Sequence, residues 1–406
     1  MEGNSCKIAV LSVHSSPLGN MGEKDTGGMS AYLREVCCEL GKLGFSIDIF
    51  TRSVEIKRGE KIERIGPGAR LIHLRAGPSR KVSKDSLPQY IPQFVQELEC
   101  FRKKHRLAYD IIFSHYWISG LAGMQLQEPW KVPHLTMFHT LGAVKKELNL
   151  GGDDPLERLE KERLLAHNSS HIIVAAEREK GKLLYHYNIS GEKVSVIPCG
   201  VNMEVFRPFS KIDSRKKLDI DVNEKIALYV GRLDPVKGIY QLLQALKGIK
   251  YKFPFRLVVA GGNEEEINEL KQYCRRLQLK IPVNFVGPVE YQMLPYYYNA
   301  ADFLVLPSYY ESFGLVALEA LACGTPVLAA DVGDLGNIIE VGKTGYIVSN
   351  NDPIELGNKM EELLEFSQGT SPGRIRESVY SFNWSSVSAQ IAQKCADILE
   401  STAKRS

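Results

Sequence analysis

Twice in succession the chain passes through short apolar, β-branched runs separated by amphipathic stretches, and this double alternation restricts its fold more than any other feature. The first series is KIAVLSV from Lys7, SIDIFT from Ser46, RLIHL from Arg70, YDIIFSH from Tyr109, VPHLTMFH from Val132 and HIIVAA from His171, with an amphipathic helix expected from Gly28 to Leu43. The second is IALYVG from Ile226, RLVVAGG from Arg256, VNFVG from Val283, ADFLVLPS from Ala301, PVLAA from Pro326 and YIV from Tyr346. Strands that alternate with helices build βαβ units on parallel sheets. Between the two series, KVSVIPCGVNMEVFRP from Lys193 joins a last apolar strand to Pro, Gly and Asn punctuation, as a domain boundary should. A length of 406 residues exceeds one ordinary core. The expected fold is therefore α/β, with two doubly wound domains facing each other across a cleft, the first over residues 1–198 and the second over 199–383. Beyond Phe382-Asn383-Trp384, the positions Val387, Ile391, Ile398 and Leu399 predict a final amphipathic helix.

Composition removes several classes of function. Lys+Arg of 51 against Asp+Glu of 48 leaves a net charge of +3, which does not point to nucleic acid as a partner. The eight cysteines show no metal-ligand spacing and read as reduced thiols. MEGNSCKIAVLSVHS has the short apolar run of a strand rather than of a signal peptide, and no apolar run reaches the roughly 18 residues of a membrane span. A cytoplasmic location is expected, with peripheral membrane contact left open. No GxGxxG with a later acidic residue supports a dinucleotide-linked oxidoreductase.

Chemistry concentrates in ADFLVLPSYYESFGLVALEALACGTPVLAADVG, from Ala301 to Gly333. Glu311 stands just before a helix start, and Glu319 lies in the otherwise apolar LVALEALAC, where a carboxylate needs a hydrogen-bond donor. A ribose diol would supply one; a half-exposed Glu319 and a helix-start Glu311 are the plain alternative. Backbone amides of Phe313, Gly314 and Leu315 would open the helix towards a phosphate. IALYVGRLDPVKG places Arg232 and Lys237 past the carboxyl end of a strand, where ligands of open α/β sheets bind. These two cations suit a diphosphate, and without one they are ordinary loop charges.

GRLDPVKG followed by LPSYYESFGLVALEALACGTPV resembles the donor-site signature of glycosyltransferase family four, and the likeness extends through most of the chain. Glu311 and Glu319 match that family's E-x7-E motif. The resemblance implies a GT-B fold of two Rossmann-like domains, with the 384–406 helix crossing back to the first. It also implies a metal- and cofactor-independent retaining transfer of a hexose from a nucleotide diphosphate sugar, by default a UDP-sugar, to a small acceptor. Arg232 and Lys237 would hold the diphosphate, Glu319 the ribose, Glu311 the hexose hydroxyls, and Val286, Gly287 and Pro288 the base through their backbone. DTGGMSAYL from Asp25 resembles the family's glycine-rich loop, where Gly27 and Gly28 allow close approach to sugar and phosphate. MFHTLGAVK places His139 beside the donor sugar and Thr140 near the acceptor. Lys84, Tyr116, Lys145 and Arg158 resemble acceptor contacts, the lysines and arginine suiting a phosphorylated one.

Departures from the family pattern fall on acceptor choice. Met29 stands where sucrose-phosphate synthases carry glutamine, Val289 where the inositol-phosphate enzymes of mycothiol synthesis carry arginine, and ELNLGGDDPLE is short. A lipid or glycan acceptor at a membrane surface, a phosphoinositide above all, and a catalytically degenerate sugar-nucleotide-binding subunit stay as alternatives. Asp219-Ile220-Asp221 spells DxD but reads as a loop. RKKHR at Arg102 reads as a solvated face.

Overall fold

The structure, a computed structural model, describes residues 5–18, 28–53, 60–80, 82–148, 156–249, 255–366 and 371–404. These divide into two compact units, one formed by the residues as far as Pro198 together with those from Trp384 onward, the other by Cys199 to Asn383.

The first unit is built on β1 (Lys7–Leu11), β2 (Ser46–Ser53), β3 (Lys61–Gly66), β4 (Ala69–Arg75), β5 (Ile111–His115), β6 (His134–Met137), β7 (His171–Val174) and β8 (Val194–Val196). Their spatial order is β3-β4-β2-β1-β5-β6-β7-β8. Central strands are covered on both faces, so they read as unbroken apolar runs: all five residues of β5 and four of the five in β1 are buried. Ile8 pairs with Ile47 on one side and with Ile111 on the other.

The apolar runs do not reveal β3, which pairs antiparallel with β4 at the sheet edge. Its sequence KIERIG is charged because an edge strand has one neighbour and wet side chains. Glu63 reaches across to His73 at 2.5 Å. The hairpin turns at Pro67-Gly68, and a Cβ on Gly68 (φ +63°) would lie 2.6 Å from the Phe45 carbonyl oxygen.

The second unit holds β9 (Lys225–Val230), β10 (Phe255–Ala260), β11 (Val283–Gly287), β12 (Phe303–Leu306), β13 (Val327–Ala330) and β14 (Gly345–Val348). All pair in parallel, in the order β11-β10-β9-β12-β13-β14. This is the doubly wound order, with its reversal between β9 and β12. At the amino end of that reversal the buried Asp302 receives Lys211 Nζ and Arg215 Nη2, both at 2.9 Å, and the Ile226 N–H at 2.8 Å. Burial alone would raise its carboxyl, but Lys211, the Ile226 amide and Lys225 outweigh it and hold it below the usual carboxylate range.

The closing helix, Trp384–Ala403, returns to the first unit and packs on the helix Gly28–Lys42. Its buried seam is Trp384, Val387, Ile391, Cys395 and Ile398. Cys395 takes the turn that the sequence pattern left blank, and Leu399 is only half-buried. Trp384 meets Tyr32 edge-on at 5.5 Å.

At the carboxyl end of the second sheet, the loop after β9 lies on the loop after β12. Tyr309 N donates to the Val236 carbonyl at 2.8 Å. Gly238 has φ +71°, and a Cβ there would sit 1.7 Å from the Pro307 carbonyl oxygen. Gly238→Ala therefore combines a left-handed backbone penalty with a clash against main chain, and a loss of roughly 1–3 kcal/mol is expected in urea unfolding. An unchanged urea midpoint would show that the two loops are not packed as described.

Candidate functional site

In the second unit the loop from Gly231 to Gly238 follows β9, and its shape is set by its own polar groups. Tyr229 Oη donates to the Arg232 carbonyl at 2.6 Å, and Asp234 caps the Val236 N–H at 3.0 Å. A Cβ on Gly261 (φ +124°) would meet the Gly231 carbonyl oxygen at 2.0 Å, so the loops after β9 and β10 touch backbone to backbone. Lys237 is thereby delivered to Glu311, with Nζ 2.7 Å from Oε1, and Ser308 Oγ donates to the same oxygen at 2.8 Å. The two charged groups singled out from separate motifs are thus one ion pair at the sheet reversal. Arg232 lies beside Asp234 at 3.6 Å with its side chain 49 % exposed, open to an incoming anion.

Five residues past Glu311 the helix Leu315–Ala322 is under way, with Gly314 as its first cap at φ +111°. A Cβ on Gly314 would lie 2.5 Å from Leu335 Cδ2. Phe313 is buried against Phe382, which fixes the approach to the helix start. Ala317 N turns back to the Gly314 carbonyl at 2.9 Å, and the amides before it lie at the positive end of the helix dipole. Glu319 is 8 % exposed, which removes the half-exposed alternative. The hydrogen-bond donor it requires is Tyr298, whose hydroxyl reaches Oε2 at 2.6 Å. Burial and the neighbouring carboxylate raise the Tyr298 pKa well above its ordinary value, so the phenol stays a donor. Gly287 ends β11 at φ +75°, its carbonyl accepting from Gly261 N at 2.7 Å.

The first unit gathers rings and cations at the carboxyl ends of β1, β5 and β6, again where strand order reverses. Two residues there, Tyr116 (φ +74°) and His139 (φ +60°), hold left-handed backbone without being glycine. Such strain persists where the surroundings impose it. Tyr116 N donates to the Met137 carbonyl at 2.8 Å, tying the two strand ends together. His115 Nδ1 and His139 Nε2 are 2.9 Å apart, so one imidazole donates to the other. Burial pushes His139 down to about 3 and His115 well below its ordinary value, and both rings are neutral at pH 7. Tyr32 packs edge-on against His139 at 5.4 Å. His14, just past β1, lies 4.5 Å from the Tyr116 ring, and its Nδ1 is buried without a hydrogen-bond partner among the described residues. Burial, with the positive charges of Lys84 and Arg158, pushes it to about 3.

Arg158 is 4 % exposed, which rules out a solvated side chain. Its guanidinium carbon lies 5.4 Å from the Tyr116 ring centre, and Nη2 is 3.4 Å from the Thr140 carbonyl oxygen. Nε is held by Glu162 Oε1 at 2.8 Å. Lys84 opens a 3-10 turn, half-buried and within electrostatic reach of His14. Lys145 is half-buried on the short helix Gly142–Glu147. Gly28 starts the helix Gly28–Lys42; Gly27 lies outside the described residues.

Sequence reasoning passed over His14, His115, Glu162, Tyr298 and Ser308. Of these Ser308 and Glu162 carried a local signal, the S-x-x-E spacing to Glu311, which resembles a capping box, and the i,i+4 spacing to Arg158. Tyr298 is one of three consecutive tyrosines, and the run does not tell which turns inward. Asp221 of the DxD sequence caps the Asn223 N–H at 2.9 Å, as a loop residue does. In RKKHR, Arg102 pairs with Glu99, and Lys104 and His105 with Glu60. Among the described residues no helix is long and apolar enough to cross a membrane.

Comparison with known proteins gives these sites a setting. The pattern of Glycosyltransferase Family 4 matches residues 26–205, and that of Glycosyl transferases group 1 matches residues 210–379. A D-inositol 3-phosphate glycosyltransferase of Corynebacterium diphtheriae is 36 % identical over 370 residues, spanning 88 % of this chain and 86 % of that one. D-inositol 3-phosphate glycosyltransferase 2 of Catenulispora acidiphila is 36 % identical over 411 residues, 97 % of this chain and 95 % of that one. Among solved structures, sucrose-phosphate synthase from Thermosynechococcus elongatus superposes with a TM-score of 0.88 at 31 % identity, over 98 % of this chain and 100 % of that one. HepE of Anabaena, in complex with UDP and glucose, shares the fold with a TM-score of 0.75 at 20 % identity, over 97 % and 100 %. With both of its sheets, both matched patterns and full-length relatives in agreement, the chain belongs to glycosyltransferase family four and has the GT-B fold of two Rossmann-like domains.

Proposed function

We propose that the chain is a retaining hexosyltransferase that uses a nucleotide diphosphate sugar, with a UDP-sugar favoured, and a small phosphorylated sugar or cyclitol as acceptor. The observation that carries the proposal is the joining of Lys237, Glu311 and Ser308 beside a helix start, one turn and a half from the buried Glu319. Arg232, Lys237 and the amides at Phe313, Gly314 and Leu315 would hold the diphosphate. Glu319, oriented by Tyr298, would accept the ribose hydroxyls, Glu311 the hexose hydroxyls, and the Gly287 backbone would contact the base. Gly27, Gly28 and His139 would serve the donor sugar. The neutral state of His139 suits hydrogen bonding to a hydroxyl rather than charge stabilisation.

In the proposed reaction the bond between the anomeric carbon and the β-phosphate oxygen breaks as the acceptor oxygen bonds to the same face of that carbon. The acceptor proton passes to the departing phosphate. Charge accumulates on that phosphate in the transition state, and the two cations with the helix start would stabilise it without a metal. Acceptor recognition falls to Lys84, Tyr116, Thr140, Lys145 and Arg158, joined by His14. The free thiols of all eight cysteines support a cytoplasmic setting.

Lys237→Ala is expected to lower kcat by about a hundredfold or more, as loss of a transition-state charge contact does. An effect confined to KM would remove the role given to Lys237. Glu319→Ala should weaken nucleoside diphosphate binding by roughly ten- to a hundredfold in calorimetry, the worth of hydrogen bonds to a charged group; unaltered affinity would take the ribose away from Glu319. A melting-temperature screen with UDP, GDP, ADP and NAD tests the donor class, because only a ligand of the folded state raises Tm. Stabilisation by UDP alone is the expected result, and stabilisation by NAD alone would overturn the transferase reading.

A further inference from the structure

Besides its contacts with Tyr116 and Thr140, Arg158 is held in place by a residue that has no part in the proposed acceptor set. It sits in the first turn of the helix Leu156–Asn168, and the carboxylate that holds it, Glu162, is one turn further along the same helix. The two side chains are 5 % and 0 % exposed. Glu162 has further obligations: Oε2 accepts the Gly142 N–H at 2.9 Å and the hydroxyl of Tyr187. One buried carboxylate thereby connects three helices, Leu156–Asn168, Gly142–Glu147 and Glu177–Tyr187.

Stability alone does not account for this arrangement. The cost of removing both charges from water is large, and a buried ion pair is commonly no better than a well-packed apolar pair of equal volume. Its distinctive property is directional. With Nε committed to Glu162, the guanidinium is tethered at one edge, its carbon lies 5.4 and 5.9 Å from the Tyr116 and Trp117 ring centres, and Nη2 is 3.4 Å from the Thr140 carbonyl oxygen. A guanidinium held in this way presents a fixed fork, which suits the oxygens of a phosphate group. Gly142 leaves room for it, since a Cβ there would lie 3.0 Å from Nε.

We infer that Glu162 and Tyr187 are positioning residues for acceptor choice, fixing the Arg158 fork so that an acceptor bearing a phosphate monoester is preferred over the same acceptor without it. Neither touches the acceptor; both act through Arg158. The inference rests on the acceptor role proposed above for Arg158.

The test compares D-inositol 3-phosphate with unphosphorylated myo-inositol as acceptors for the full chain, with UDP-glucose and UDP-N-acetylglucosamine as donors. Arg158→Lys, which keeps the charge and loses the fork, sets the reference and should raise KM for the phosphorylated acceptor by about tenfold or more. If wild type does not discriminate between the two acceptors, or if Arg158→Lys leaves KM unchanged, the acceptor reading itself falls. Where Arg158→Lys has its effect, Glu162→Gln should raise the same KM by about tenfold while kcat and the UDP-induced rise in Tm stay near wild type. Tyr187→Phe, which spares the ion pair, should act in the same direction by about two- to threefold. Glu162→Asp should recover part of the preference and stands in for Glu162→Gln should that variant not fold. Loss of Tm in Glu162→Gln and Tyr187→Phe with an unchanged preference for the phosphorylated acceptor would reduce the pair to a structural role and overturn the inference.

Discussion

Parallel strands must be joined by crossovers of one hand, and this single constraint organises both units. A sheet that grows in one direction and then in the other has one place where the loops from adjacent strands leave towards opposite faces. In the first unit that place lies between β1 and β5, in the second between β9 and β12. His14 and Tyr116 occupy the first, Lys237 and Glu311 the second. The ion pair of Lys237 with Glu311 joins residues 74 positions apart because strand order, not chain order, makes their loops neighbours. The near contact of Gly238 with the Pro307 carbonyl is the steric mark of the same meeting.

Charge is distributed on this framework by purpose. At the amino end of β9 and β12, Asp302 is surrounded by Lys211, Arg215 and Lys225 and by a backbone amide, and its bonds close on one another. At the carboxyl end, Lys237 and Glu311 satisfy each other while Arg232 stays in solvent reach. A closed cluster has little to offer a ligand. In the donor site proposed above, an ion pair that bridges two loops would instead be divided, the lysine going to the phosphate and the carboxylate accepting from the sugar hydroxyls.

The alternation of apolar runs told the architecture because both sheets are covered on two faces, so their strands are unbroken in the sequence. β3 escaped for the converse reason, an edge strand written in charged residues. Glu311, Glu319, Arg232 and Lys237 were legible because each lies in a compact motif whose spacing is local. Tyr298 and His115 were not, since a tyrosine or histidine gives no sign in the chain of the partner that lies 21 or 24 positions away. The apolar run through Met137 and Phe138 also concealed the end of β6: it continues past the last strand residue, and His139 follows with its backbone turned left-handed. Arg158 and Glu162 were visible as an i,i+4 pair, but the sequence cannot tell a wet pair from a dry one.

The left-handed conformations of Tyr116 and His139 set a limit on how this protein can be improved. At either position glycine would relieve backbone strain of roughly 1–2 kcal/mol, but it would also remove a buried ring, and that loss is the larger of the two. The ring lost in exchange would be the one packed on His14 or bonded to His115. The backbone at these two positions is therefore held in strain by the packing of its own side chains, and any further margin of stability has to be gained elsewhere in the sheet.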